Sequence, residues 1–230
     1  MQSVTAKDGT PSASSKTATK LTRALLTCGV VAGPLFIIVG VIQMFIRPGF
    51  DIRRHALSLL SNGDLGWIQI ANFVVSGLLV IAGALGMRRV LRGSRGATWG
   101  PLLLGLYGLG TIGAGIFSPD PALGFPPGTP EDATAISWRG MMHFIIGGIG
   151  FLGLIAACFV FARRFAAHKQ PGWAAYSVAT GVIFFAAFFG IASGSKGAVS
   201  VAFAIADVIA WIWFSLMAAR LMAGLPNREV

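Results

Sequence analysis

Six long apolar stretches, separated by short polar segments, set the pattern of this chain. They run over about Arg23–Ile46, Ile68–Met87, Trp99–Phe117, Gly140–Ala162, Trp173–Ser193 and Ala198–Met222. An apolar run of about 18 residues or more crosses the ~30 Å hydrocarbon layer of a bilayer as a helix. The pattern therefore predicts an all-α polytopic membrane protein, with six transmembrane helices in one bundle over residues 23–222. Residues 1–22, rich in Ser, Thr, Ala and Lys, read as a disordered cytoplasmic tail, and residues 223–230 as a short second one. The start has no small-residue cleavage site after a short apolar core, so it does not read as a removable signal peptide.

Composition agrees. The chain is 55% apolar and 11% charged, against about 25% charged in an average soluble protein. The net charge of +10 would suit a nucleic-acid partner, but its placement excludes one. The basic residues gather in short connectors and form no stripe interleaved with exposed aromatics. The two tails with the adjoining span ends Arg23 and Arg220, the 88–98 connector and the 163–172 connector hold 13 of the 18 Lys and Arg residues. The positive-inside rule then places both termini in the cytoplasm, at the plasma membrane, with anionic inner-leaflet lipid as the partner of those charges. Cys28 and Cys158 fall inside spans, so no disulfide framework and no metal-binding cysteine spacing is present.

That topology gives each helix a direction, and polar side chains then take a depth. Gln43, Gln69, Asn72, His143 and Asp207 all fall in the outer half of the bundle, whereas the inner halves hold hydroxyls such as Thr27 and Thr180. Helical spacing groups His143 with Gly147, Gly150 and Ala157; Asn72 with Gln69, Ser76 and Gly83; and Asp207 with Ser200, Ala204, Trp211 and Ser215. Small-plus-polar stripes of this kind face other helices, which predicts a polar cavity opening outward. An aspartate within a span costs roughly 2.5–3.5 kcal/mol at mid-depth, so Asp207 has a partner or a function. It either serves a ligand, proton or metal, or fixes packing through Asn72, His143 or Trp211.

Two outer segments flank this region. In residues 47–67, Pro48-Gly49 ends span one, Asp51 can cap a short interfacial helix, and Trp67 anchors span two. Ile52, Ala56, Leu59 and Leu60 have the spacing of its apolar face, with Asp51, His55 and Ser58 beside them. Folded over the cavity, this helix would bring Arg53, Arg54 and His55 towards Asp207 and Asp120; alternatively its charges are simply solvated. The second segment, residues 118–138, is stiffened by prolines and reads as a lid or a rigid connector with Asp120 facing inward.

Arg47-Pro48-Gly49-Phe50-Asp51 with His55 and Ser58, then Gly66-Trp67 with Gln69 and Asn72-Phe73, resembles the bacterial six-span family called domain of unknown function 998. Asp120-Pro121, Gly124 with Pro126, and Gly140 three residues before His143 continue the likeness, which covers about residues 25–222. The resemblance implies a six-helix plasma-membrane protein and brings no catalytic residues.

Three functions fit these residues. The first is binding of a small or lipid-like ligand in an outer-leaflet cavity, for transport or sensing, by Asp51, Arg53, Arg54, His55, Ser58, Asn72, Asp120, His143 and Asp207, with the arginines suited to a phosphate or carboxylate. This reading needs no cofactor. The second is a membrane-embedded hydrolase holding zinc through His55, His143 and Asp207, although the chain has no HExxH pair. The third is a structural or partner-binding subunit, with a homo-oligomer left open.

Overall fold

A computed structural model describes residues 13–94, 96–132, 135–194 and 197–225. It contains six helices: α1 (Ala13–Ile46), α2 (Gly66–Leu91), α3 (Trp99–Ile116), α4 (Trp138–Ala167), α5 (Pro171–Ala192) and α6 (Ala198–Ala223). All six are long and apolar enough to cross a membrane. Among the described residues the nearest thing to a sheet is one isolated bridge, Ala122 to Phe125. The fold is all-α, and its outer surface fits only a bilayer. Ile38, Leu78, Ile149 and Phe185 are each about half exposed, and Phe45 is 83% exposed. Apolar surface so extensive needs lipid against it.

The helices cover the predicted apolar stretches, and three run past them: α2 continues to Leu91 and α4 to Ala167, so that Arg88, Arg89, Arg163 and Arg164 are helical, and α1 begins early. Helix α1 already starts at Ala13, so residues 13–22 are helical rather than tail; residues 1–12 and 226–230 lie outside the described residues. Ala, Lys and Thr at this position continue the helix that the apolar run propagates. Exposed Trp67, Trp99 and Trp138 stand in the first turns of α2, α3 and α4, as interfacial anchors do.

Each helix packs on the next, and α6 returns to α1, which closes a ring. Small residues permit the contacts. A Cβ on Gly33 would lie 2.6 Å from the Trp211 carbonyl oxygen of α6. The Gly33 N–H instead donates to Ser215 Oγ (3.1 Å), and that hydroxyl donates on to the Gly29 carbonyl (3.3 Å). Gly110 of α3 and Gly150 of α4 approach in the same way, with a Cβ on Gly110 only 2.6 Å from the Gly150 Cα. The interior is aromatic: Tyr107, Phe161, Phe184, Trp211, Trp213 and Phe214 are all fully buried.

One end of the ring carries a cap made of residues 47–65, 118–132 and 135–137. It has a small core of its own, Leu59, Leu60 and Phe125, with Phe50, Leu57 and Ala122 against it. Arg47 leaves α1 and ties the cap together. It donates to the Leu60 carbonyl at 2.8 Å and to the Asn62 carbonyl, and lies 5.3 Å from the centre of the Phe125 ring. The interfacial helix expected here is present in a shorter form, a 3-10 helix over Leu57–Ser61. Asp51 closes a single turn, accepting the N–H groups of Arg54 and His55 on its carbonyl (2.9 and 2.8 Å) and that of Arg53 on its carboxylate (2.9 Å). Ala56 is then extended, with φ −65° and ψ 148°, so Asp51, His55 and Ser58 share no helical face.

Candidate functional site

Beneath the cap, the ring surrounds a partly open cavity of about 170 Å3, into which all six helices and the first capping segment project. Ile52, Ala56, Leu57 and Ser58 form its roof. Phe36 of α1, Phe73 of α2, Phe151 of α4, Phe188 of α5 and Phe203 of α6 make its walls largely aromatic. The polar groups are few: Tyr107 and Thr111 of α3, His143 of α4, Ser58, and Ser200 and Asp207 of α6. His143 and Asp207 are each only 7% exposed.

Local geometry fixes what these two offer. His143 Nδ1 lies 3.0 Å from the Ala114 carbonyl oxygen and 2.9 Å from that of Phe117. Both contacts are acceptors, so Nδ1 carries the hydrogen, which leaves Nε2 as an acceptor. Neither Nε2 nor the Asp207 carboxyl forms a hydrogen bond with the described residues. The indole N–H of Trp211, one turn along α6, lies close to the carboxyl but misses hydrogen-bond geometry. Trp211 itself stacks on Phe36 with ring centres 4.3 Å apart and tilts against Tyr107 at 5.4 Å.

Of the nine residues the sequence suggested, Ser58, His143 and Asp207 line this cavity, and the other six lie elsewhere. Asn72 belongs to a buried network between α1 and α2. It donates to the Phe36 carbonyl (3.2 Å) and Gln69 Oε1 (3.3 Å), and Gln43 also donates to that Gln69 oxygen (2.7 Å). Asp120 caps the start of α4 by accepting the Ser137 N–H at 2.8 Å. The arginines do not turn towards Asp207. Arg53 is paired with Asp51 at 2.9 Å, and its guanidinium hydrogen bonds, followed by its backbone N–H, hold the Asp51 carboxyl down at about 2. Arg54 is paired with Glu131 and donates to the Leu123 carbonyl. The expected meeting of Arg53 and Arg54 with Asp207 and Asp120 is thus replaced by pairs within the cap. The physical reason is the roof, whose Ile52, Ala56 and Leu57 stand between those arginines and the interior.

His55 is also committed to the cap. Its Nδ1 accepts the Asp51 N–H at 2.9 Å, and its Nε2–H donates to the Leu123 carbonyl at 3.0 Å. The set His55, His143 and Asp207 is therefore not assembled, and among the described residues no group of three His, Cys, Asp or Glu side chains is placed to hold a metal. Tyr107, Thr111 and Phe36 escaped the sequence reading because an aromatic or a hydroxyl in an apolar helix looks like ordinary core.

The six spans, the cap and the partly enclosed cavity define an integral membrane protein with an internal chamber. Comparison of sequences places it further: the chain belongs to the family described as Protein of unknown function (DUF998), which it matches over residues 30–220. No curated protein and no solved structure matches it.

Proposed function

We propose that the protein binds a small or lipid-like ligand in the capped cavity, as a transporter or sensor of the plasma membrane. One observation carries this reading. Two buried polar side chains from different helices, His143 and Asp207, line a largely aromatic chamber; His143 Nε2 makes no hydrogen bond with the described residues, and the Asp207 carboxyl has only the Trp211 indole N–H beside it. Buried polar groups are normally satisfied, and a chamber with a few convergent polar groups is the usual form of a ligand site. The distribution of Lys and Arg supports cytoplasmic termini and hence a cap on the outer side. Access from the bilayer is supported by Phe144, which lines the cavity and is 60% exposed on the outer surface of α4.

Native mass spectrometry of the protein released gently from membranes tests the proposal. A Cβ on Gly147 would meet nothing closer than Ala114 Cβ at 3.9 Å, so Gly147→Leu fills the chamber without striking backbone. Wild-type protein is expected to retain a small molecule that the Gly147→Leu protein lacks. Equal retention by both would refute the reading.

A further inference from the structure

We infer that the ligand is a single-chain amphiphile with a primary ammonium head, seated between Asp207 and His143. The inference rests on the reading above that the chamber is a ligand site, and it names the chemistry the chamber selects. Among the described residues, no Lys or Arg lines the cavity. The described cations at this end are engaged elsewhere, Arg47 with two carbonyl oxygens, Arg53 with Asp51, Arg54 with Glu131 and Arg139 with the Ile116 carbonyl. A phosphate or carboxylate head would therefore meet the Asp207 carboxylate with no positive charge among the described lining residues to offset it, a costly arrangement away from water.

An ammonium head reverses each of those terms. It supplies the positive charge that a buried carboxylate otherwise lacks, and it donates up to three hydrogen bonds. One goes to Asp207 and one to His143 Nε2, the acceptor left by the Nδ1–H bonds to Ala114 and Phe117. The third has hydroxyl oxygens of the lining, Thr111 and Ser200, to choose from. Phe36, Tyr107 and Trp211 all line the cavity, an aromatic surround of the kind that attracts cations. A quaternary ammonium could use that surround but has no N–H for either polar group. The body of the ligand lies along Phe151, Phe188 and Phe144. Phe144 reaches the bilayer-facing surface, where an acyl-like chain continues into lipid.

Binding to the full-length protein in lipid nanodiscs tests this, with tryptophan fluorescence and thermal stabilisation as readouts. The probes are dodecylamine, dodecyltrimethylammonium, 1-dodecanol and dodecanoic acid, and Gly147→Leu protein is the control for partition into lipid. Dodecylamine is expected to bind saturably and most tightly to wild type, and Asp207→Asn should weaken it about tenfold or more, the loss of a charge-assisted hydrogen bond. Retained binding of 1-dodecanol by Asp207→Asn shows that this variant is folded; should it not fold, His143→Phe carries the same comparison and should also weaken the amine relative to the alcohol. If the alcohol or the acid binds wild type as tightly as the amine, and Gly147→Leu blocks it, the ammonium assignment falls while the chamber remains a ligand site. If no probe binds wild type better than Gly147→Leu, both fall.

Discussion

Two residues of the cap show how local bonding decides a side chain's role. Asp51 takes hydrogen bonds from the Arg53 guanidinium and backbone, which holds its carboxyl at about 2, below the ~3.9 of an unfolded aspartate. A folded value below the unfolded one contributes stability above about pH 4 that is lost as pH falls through about 2. A carbon-13 titration of the Asp51 carboxyl should therefore find its midpoint near 2, and Arg53→Ala should return it towards the ordinary value; a wild-type midpoint near 4 contradicts the pairing. His55, bound at both ring nitrogens, predicts a different effect. His55→Ala strands the Asp51 N–H and the Leu123 carbonyl, and should lower stability by about 2–3 kcal/mol in reversible unfolding, with Ser58→Ala near neutral. At this scale the sequence was half legible. Asp207 and His143 stood out because a charge or an imidazole in an apolar stretch has to be accounted for. The partners of Arg54 did not, because Glu131 reaches it only through the folding of a segment some 77 positions away.

Helices are where apolar pattern and structure agree best, since bilayer thickness sets their length before any packing occurs. Even so, α1 extends ten residues beyond its expected start and runs through Pro34 without interruption. The first capping segment departs furthest from expectation. Its apolar spacing suits a helix, but the Asp51 turn and the extended Ala56 divide it, and hydrogen bonds of that kind leave little trace in periodicity. The small-residue stripes were legible, and one makes a sharp test. Because a methyl at position 33 would stand 2.6 Å from the Trp211 carbonyl oxygen, Gly33→Ala should destabilise the α1–α6 contact by about 1–3 kcal/mol. Gly40→Ala, on the same helix with nothing within 4 Å of its Cβ, should leave stability unchanged or slightly raised. Equal melting of the two variants would show that the helices do not meet at Gly33.

For the molecule as a whole, the number of spans was readable and the order of neighbours was not. Nothing in the stripes stated that α6 would pack back on α1. The even number of spans brings both helix ends to one face, and the Thr27 hydroxyl lies 3.6 Å from Met222 Sδ there. Reporter fusions at either terminus of the protein should accordingly report on the same side of the membrane, the cytoplasmic one under the proposed orientation; opposite signals would overturn the even count. The closed ring carries one more consequence. A chain whose last helix touches its first has no privileged starting point, so a linker of about ten residues, long enough to run the ~20 Å from the end of α6 beside Thr27 back to the start of α1, with new termini cut between Ala167 and Pro171, should yield a circular permutant that inserts and folds.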